Sequence, residues 1–242
     1  MEDVRNEQGQ TLSEFLAAYD ENKYRRPSCT VDMAVLTLVP LGDGFDIGVL
    51  LIRRRNHPWI GGWALPGGFV EMNEELVDAA RRELTEETGV EGLPMREFGV
   101  FGAVDRDPRT RVISTGFFSI APLGSISPAA GDDAADAAIF HISAKMEAQC
   151  ASAETYRIDL VGPKVLTCRA KLVYDELGAS PERFHAPGEG GLGGDHDLVL
   201  FSALRALSQL PRKRAALFLT RDCPYLIEEA LDALDRCLPV IP

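Results

Sequence analysis

The stretch that decides the fold is GFVEMNEELVDAARRELTEETGV, residues 68–90. It predicts a helix over residues 74–88, with Asn73 as the N-cap and Gly89 as the C-terminal stop. Apolar residues recur at helical spacing and form a stripe suited to face a core, namely Val77, Ala80 and Leu84. We therefore expect an amphipathic helix that follows a glycine-rich loop.

Three carboxylates lie on one face of this predicted helix, because Glu83, Glu86 and Glu87 have the spacing i, i+3 and i+4. Like charges at this spacing repel each other by about 0.2–0.5 kcal/mol per exposed pair. A hard divalent cation removes the conflict, since carboxylate oxygens are ligands that Mg²⁺ and Mn²⁺ prefer. For the run RELTEE alone, the alternative is a solvated acidic face with Arg81 and Arg82 interspersed.

The wider pattern is Gly-x5-Glu-x7-Arg-Glu-U-x-Glu-Glu-x-Gly-U, where x is any residue and U is an aliphatic residue. Its fixed positions are all met here, by Gly68, Glu74, Arg82, Glu83, Leu84, Glu86, Glu87, Gly89 and Val90. It resembles the Nudix box of the Nudix hydrolases. The resemblance implies an α/β/α sandwich around a mixed β-sheet, and the irregular order of predicted strands and helices favours the same α+β class.

By this resemblance, Glu83, Glu86 and Glu87 form a site for Mg²⁺ or Mn²⁺, and water attacks a phosphorus of a diphosphate. A carboxylate must take the proton from that water. Glu83 is one candidate for the general base, with Glu86 beside it. Asp132 and Asp133 are the other candidates, on a later loop, and the alternative is that AAGDDAADA is only a solvated acidic turn.

The same resemblance gives Glu74, Arg82 and Gly89 a structural role in the box. Gly67 and Gly68 would let the backbone pass close to a metal ion or a phosphate, which glycine permits because it lacks a Cβ. We therefore expect the first three residues to shape the helix and its loop, and the two glycines to contact the substrate.

The flanks of the box indicate a narrower group. The runs RRPSCTVDM, RRRNHPWIGGWALPGGFVEMNEE and DRDPRTRVIS, within residues 25–140, look like ADP-ribose-processing Nudix proteins. A weaker echo of the same group lies at Gly194-Asp195-His196, before a predicted helix. Arginine holds phosphate bidentately, so Arg54, Arg106 and Arg109 are candidate ligands of the diphosphate. The alternative for each is a surface ion pair. Two aromatic side chains could stack on a base or pack in the core, Trp59 and Trp63.

The function expected from this group is metal-dependent hydrolysis of a nucleoside diphosphate linked to another moiety, first of all ADP-ribose to AMP and ribose 5-phosphate. Dinucleoside polyphosphates and NADH are the alternative substrates. A non-catalytic ADP-ribose-sensing regulator is the alternative from another class. Such regulators add a winged helix, but residues 211–242 are short for one and carry as many acidic as basic residues, which disfavours DNA binding.

Composition limits the partners further. The formal net charge of −12 disfavours contact with nucleic acid and with anionic membranes. No apolar run approaches the roughly 20 residues of a membrane-spanning helix, and the N-terminal MEDVRNEQGQ lacks the pattern of a signal peptide. The five cysteines show no CxxC spacing, which indicates reduced thiols. We expect a cytoplasmic protein with a small nucleotide substrate, and the resemblance implies a homodimer.

The chain is expected to have three parts: a tail with a short helix over 1–27, a Nudix domain over 28–210 and a helical extension over 211–242. A hairpin at about 150–176 looks inserted, either over the site or at a dimer interface. Strands are predicted over residues 30–39, 46–52, 97–104, 111–120, 156–160 and 164–174. Ser13, Asp195 and Pro224 mark further helix starts. A GxGxxG match at Gly188, Gly190 and Gly193 lacks a preceding strand and predicts a loop.

Overall fold

The computed structural model describes residues 4–129, 134–185 and 191–237. Its strands are β1 Ser28–Leu41, β2 Gly44–Arg54, β3 Trp63–Ala64, β4 Gly67–Phe69, β5 Arg96–Phe101, β6 Val112–Ile120, β7 Ala134–Cys150, β8 Ala153–Val161, β9 Val165–Asp175 and β10 Gly178–Arg183. Its helices are α1 Leu12–Ala18, α2 Leu76–Thr88, α3 His196–Ser208, α4 Arg212–Leu219 and α5 Ile227–Cys237, with a 3₁₀ turn at Pro224–Leu226. None of these helices is both long and apolar enough to cross a membrane.

The strands of the described residues form one ten-stranded sheet in the order β10-β9-β8-β7-β2-β1-β6-β5, with β3 beside β2 and β4 beside β1. β1 runs parallel to β6 and antiparallel to β2, so the sheet is mixed. The prediction of an α+β fold around a mixed sheet is confirmed.

Helices cover both faces at the centre of this sheet, and β1 shows why. Successive residues of a strand point to opposite faces. Val31 and Met33 pack with the apolar side of α2, whereas Ala34 and Leu36 pack with α3, α4 and α5. Because both faces are covered, β1 is buried continuously over residues 31–38.

Helix α2 begins later than the sequence predicts. Its N-cap is Glu75, so the prediction of Asn73 as the cap was wrong. The reason lies in Glu74, whose carboxylate accepts from the backbone N–H of Glu71 at 2.7 Å and thereby holds a turn ahead of the helix. The predicted end is confirmed, since Gly89 is the C-cap with φ of 69°. The predicted core-facing stripe is confirmed as well, by the packing of Val77, Ala80 and Leu84.

The other predicted helix starts have different outcomes. Thr11, not Ser13, caps α1 through a capping box. Asp195 directly precedes α3 as predicted, but its side chain makes no capping hydrogen bond and binds Arg106 instead. Pro224 begins the 3₁₀ turn that leads into α5.

The outer hairpin continues the main sheet. The two predicted strands are confirmed as β8 and β9, which extend the sheet beyond β7. No strand is predicted from the sequence at β7, an alanine-rich strand of 17 residues that runs from the core into this hairpin. Cys168, Ala170 and Leu172 of β9 belong to the same apolar cluster as Leu219 and Leu234 of the C-terminal helices. The hairpin and these helices therefore share the main core.

Candidate active site

Six parts of the fold surround a cleft of about 460 Å³. They are the start of β1, the end of β2, β4, α2, the loop after β5 and the first residues of α3. This volume falls within the range of about 300–1,000 Å³ that is typical of small-molecule sites. Most of the predicted site residues line it, including Arg54, Gly67, Gly68, Glu83, Glu87, Arg106 and Arg109. The sequence motif and the arginines outside it therefore meet in one place.

The two glycines of β4 bring the backbone directly against α2. The N–H of Gly67 donates to Oε2 of Glu87 at 2.8 Å. A Cβ added to Gly67 would lie 2.1 Å from the carbonyl oxygen of Val31, and one added to Gly68 would lie 2.3 Å from the carboxylate of Glu83. The backbone of β1 leaves no room for a side chain at Gly67, and a side chain at Gly68 would displace the Glu83 carboxylate, so the observed approach of the loop to both carboxylates depends on the two glycines.

Arg82 joins the acidic residues of α2 to the turn before the helix. Its Nη2 donates to Glu74 at 2.7 Å and to the carbonyl oxygen of Phe69 at 3.0 Å. Its Nη1 donates to Glu83 at 2.8 Å and to Glu86 at 3.1 Å. The hydrogen bond to Glu74 is the largest influence on the pKa of Arg82 and raises it above the ordinary value. This geometry agrees with the structural role expected for Glu74 and Arg82.

The three acidic residues expected to bind metal are placed differently. Glu83 and Glu87 line the cleft, whereas the side chain of Glu86 is 56% exposed and lies outside it. Burial raises the pKa of Glu83, although its hydrogen bond with Arg82 opposes the shift. Among the described residues, no three His, Cys, Asp or Glu side chains form a ready metal site. The carboxylates of Glu83 and Glu87, beside the two glycines of β4, nevertheless supply the oxygen donors that a hard divalent cation requires.

Arg54 and Arg109 bring positive charge into the same cleft. Nε of Arg54 donates to the carbonyl oxygen of Pro58 at 2.9 Å. Burial is the main reason that the pKa of Arg54 is lowered, and the charge of Arg109 adds to it. Arg109 pairs with Asp107 at 2.8 Å and lies 5.2 Å from the centre of the Phe69 ring. Both side chains are thus anchored while they line the cleft.

The prediction that Arg106 binds the substrate is revised. Its side chain is only 5% exposed. Nη2 donates to Asp195 at 2.7 Å and to Asp32 at 2.9 Å, and Nε donates to both oxygens of Asp195. The oxygen Oδ2 of Asp32 also accepts from Ser114 at 2.6 Å. Arg106 therefore ties the loop after β5 to β1 and to the start of α3.

Sequence reasoning missed three residues that line the cleft, Asp32, Asp195 and His196. Asp32 is the single charge in the run that forms the buried part of β1, which was an available signal. The signal for Asp195 and His196 was the weaker echo of the ADP-ribose-processing Nudix proteins at Gly194-Asp195-His196, but it assigned neither residue to the site. The two tryptophans have different environments. Trp59 lines the cleft, whereas Trp63 is buried in the core, with its ring 4.8 Å from that of Phe140.

The two remaining candidates for the general base, Asp132 and Asp133, lie outside the described residues. Their role stays a prediction. Glu83 is the predicted candidate for the general base that lines the described cleft.

The family model for the NUDIX domain matches residues 32–154, about half of the chain. The chain belongs to the Nudix family. The matched range contains the complete Nudix box and β1 from Asp32 onward, but it ends before Asp195 and His196. The start of α3 is therefore a part of the cleft that lies outside the Nudix match.

Two curated Nudix relatives concern ADP-ribose. The chain is 44% identical over 98 residues to the ADP-ribose pyrophosphatase of Methanocaldococcus jannaschii, which covers 40% of this chain and 57% of that protein. It is 36% identical over 108 residues to the ADPR responsive transcriptional repressor NtrR of Acinetobacter baylyi, over 44% and 42% of the two chains. The chain thus spans about half the length of the curated relatives it matches.

A solved Nudix structure matches much more of the chain. It is a MutT/nudix family protein from Enterococcus faecalis, with a TM-score of 0.61 and 25% identity. The match covers 91% of this chain and 87% of that one. The likeness therefore extends beyond the Nudix domain match to most of the fold.

Proposed function

We propose that this protein hydrolyses a nucleoside diphosphate linked to another moiety, with ADP-ribose as the first substrate and AMP and ribose 5-phosphate as products. The observation that carries the proposal is that one cleft contains the carboxylates Glu83 and Glu87 together with the guanidinium groups of Arg54 and Arg109. The two ADP-ribose-related relatives support the choice of substrate.

Nudix enzymes generally use a divalent metal ion, typically Mg²⁺. Glu83 and Glu87 would hold it, with Glu86 beside them, and the site fits because Gly68 leaves the Glu83 carboxylate accessible from the loop. When bound, the ion would neutralise charge on the diphosphate and lower the pKa of the attacking water. Arg82 donates to Oε1 of Glu83, so a bound ion and Arg82 would share the Glu83 carboxylate.

The arginines would bind the diphosphate. Arg54 and Arg109 are both anchored on the wall of the cleft, and a guanidinium group suits the paired oxygens of a phosphate. They also offset the formal net charge of −12, which would otherwise repel the substrate. Positioning and charge neutralisation of this kind supply most of the catalysis in phosphoryl transfer.

The bond changes are those of hydrolysis. The oxygen of a water molecule bonds to one phosphorus, and the bridging P–O bond breaks. The proton that the water loses passes to a carboxylate, for which Glu83 is the candidate within the described cleft. The leaving phosphate keeps the bridging oxygen, so each product ends as a monophosphate.

The first test is phosphatase-coupled turnover with Mg²⁺ against ADP-ribose, NADH, diadenosine polyphosphates, nucleotide sugars and nucleoside triphosphates. We expect the highest kcat/KM with ADP-ribose. Glu87→Gln should lower turnover about a thousandfold, because removal of a metal ligand costs several kcal/mol of transition-state stabilisation. Its amide oxygen can still accept from Gly67, so the fold should persist. Glu75→Gln is the matched control, since Glu75 is the exposed N-cap residue of the same helix and its side chain makes no capping hydrogen bond.

Unchanged turnover in Glu87→Gln would contradict the site assignment. A ligand-sensing regulator is the second candidate, and the similarity to a transcriptional repressor favours it. Tight binding of ADP-ribose without turnover of any substrate would support that candidate instead. A cytoplasmic location, a homodimer, and the absence of nucleic-acid and membrane partners stay predictions from the sequence.

A further inference from the structure

Asp32 and His196 form a polar pair in the cleft that the proposed reaction does not use. Asp32 comes from β1 and His196 from the first turn of α3, and their side chains are 8% and 11% exposed. Nε2 of His196 lies 3.6 Å from Oδ1 of Asp32, slightly beyond a hydrogen bond. Both residues line the cleft.

The hydrogen bonds around His196 fix which nitrogen carries its proton. Nδ1 accepts from the backbone N–H of Leu65 at 3.0 Å, so Nδ1 holds no proton. Burial lowers the pKa of His196, which favours the neutral ring. In the neutral ring the proton is therefore on Nε2, and this N–H is a donor on the Asp32 side of the ring.

Asp32 supplies the matching acceptor. Its Oδ2 is occupied by Arg106 and Ser114. Within the described parts of the chain, Oδ1 has no hydrogen-bond donor, and Nε2 of His196 lies 3.6 Å from it. The cleft thus holds one donor and one acceptor side by side, each with capacity for one more hydrogen bond.

We propose that Asp32 and His196 form a subsite for a ribose hydroxyl of the substrate. A hydroxyl group can accept from Nε2–H and donate to Oδ1 at the same time. A phosphate oxygen cannot donate and would be repelled by Asp32, and an ammonium group cannot accept. The inference rests on the proposed function, because it assumes a substrate with a ribose next to its diphosphate.

The position of the pair favours the ribose over the base. Asp32 is the direct partner of Gly67 in the register of β1 and β4, and the N–H of Gly67 binds Glu87. The pair is therefore next to the carboxylates proposed to act on the diphosphate. In a nucleoside diphosphate, the sugar is the group attached directly to those phosphates.

The test compares ADP-ribose with two deoxy analogues, one lacking the 2′- and 3′-hydroxyls of the adenosine ribose and one lacking the 2- and 3-hydroxyls of the terminal ribose. Binding is measured by calorimetry, and kcat/KM is measured with Mg²⁺. We expect one analogue to lose about tenfold to a hundredfold, because the site is left with an unpaired donor and acceptor. The analogue that loses identifies which ribose is bound.

Two variants separate recognition from support of the loop. His196→Asn keeps an acceptor near the Leu65 N–H but removes the donor in the cleft, whereas His196→Gln keeps a donor near the position of Nε2. We expect His196→Asn to process ADP-ribose as poorly as the wild type processes the deoxy analogue, and to distinguish the two no longer. We expect His196→Gln to keep part of the discrimination.

Equal use of ADP-ribose and both deoxy analogues by the wild-type protein would overturn the inference, and this comparison needs no variant. It would also be overturned if His196→Asn discriminated like the wild type while His196→Gln lost activity, because that result assigns His196 to the Leu65 loop. A large loss with hypoxanthine in place of adenine, but none with the deoxy analogues, would assign the pair to the base. If the wild type neither bound nor hydrolysed any diphosphate, the proposed function itself would fail.

Discussion

Arg82 and Arg106 each hold several carboxylates beside the cleft, but their clusters are built differently. The partners of Arg82 come from the same short stretch of sequence, namely Glu74, Glu83 and Glu86, and its side chain is 26% exposed. The partners of Arg106 are Asp32 and Asp195, which are 74 and 89 residues away along the chain. The Arg106 side chain is only 5% exposed.

The carboxylates of the two clusters also differ in their electrostatic state. Burial raises the pKa of Glu83, so its ionised form costs free energy in the folded protein. Burial acts the same way on Asp32, but the electrostatic attraction of His196 in its protonated form and of Arg106 outweighs it, and the pKa of Asp32 is lowered. Ionised Asp32 therefore stabilises the fold, and this contribution is lost as the pH falls through its lowered pKa.

The difference suggests separate tasks for the two clusters. The Arg106 cluster pairs Asp195 and the Oδ2 atom of Asp32 within the protein and connects β1, the loop after β5 and α3. The Arg82 cluster holds carboxylates at the edge of the cleft, where a cation could replace part of the contact with Arg82. We infer that the first cluster mainly supports the fold and the second mainly serves the site.

The largest expected effect that tests this contrast is on stability. Arg106→Ala leaves two buried carboxylates without their shared cation, and such a change costs about 3–5 kcal/mol. We expect the free energy of unfolding, measured by urea titration, to fall by this amount. The matched control is Arg81→Ala, because the Arg81–Asp78 pair is more than half exposed on both sides, and exposed pairs contribute about 0–1 kcal/mol.

A loss of less than about 1 kcal/mol in Arg106→Ala would show that the buried cluster does not support the fold. If Arg106→Ala does not fold at all, Arg106→Lys keeps the charge and gives a measurable stability. A lysine cannot bind two carboxylates through a planar fork. This variant should therefore lie between the wild type and Arg106→Ala.

The second expected effect is on activity and concerns the Arg82 cluster. Gly68→Ala would place a Cβ 2.3 Å from the carboxylate of Glu83, so the carboxylate must move away from its position beside the loop. We expect kcat/KM to fall about tenfold to a hundredfold, since displacement of a catalytic group by about 1 Å costs that much. Gly44→Ala is the control, because nothing lies closer than 3.9 Å to its added Cβ.

If Gly68→Ala retained full activity, the proximity of Glu83 to the loop would not matter for the reaction. If it lost stability as strongly as Arg106→Ala, the two clusters would share one task. Thermal unfolding of both glycine variants therefore accompanies the kinetic measurement.

The sequence predicted the acidic face of the Arg82 cluster because Glu83 and Glu86 lie in one helix, whereas the structural role of Glu74 and Arg82 came from the resemblance to the Nudix box. Spacing alone places Glu83, Glu86 and Glu87 on one face, and the helix is long enough to enforce that spacing. The late start of α2 was not predicted, because it depends on the side chain of Glu74 reaching Glu71 and Arg82. Local patterns thus gave the helix and its acidic face, but not the contacts that set its first turn.

The Arg106 cluster could not be predicted in the same way. Its members lie on β1, a loop and α3, and only the sheet order brings them together. In the sequence, Arg106 resembles the other arginines of its charged loop, so it was predicted to bind the diphosphate of the substrate. The strand β7 was missed for a related reason, since its alanine-rich sequence has weak β-propensity and its pairing with β2 and β8 decides its conformation.

The smallest expected effect is that of Arg82→Ala on stability. Its partner Glu86 is 56% exposed and Arg82 itself 26%, whereas Glu74 and Glu83 are 15% and 14% exposed. Water can therefore replace part of the lost contact. We expect the free energy of unfolding to fall by only about 1 kcal/mol, measured under the same conditions as Arg106→Ala. Arg82→Lys should recover part of this loss, because a lysine can pair with one carboxylate but cannot also reach the Phe69 carbonyl in the same geometry. A loss as large as that in Arg106→Ala would remove the distinction between the two clusters, since both would then support the fold.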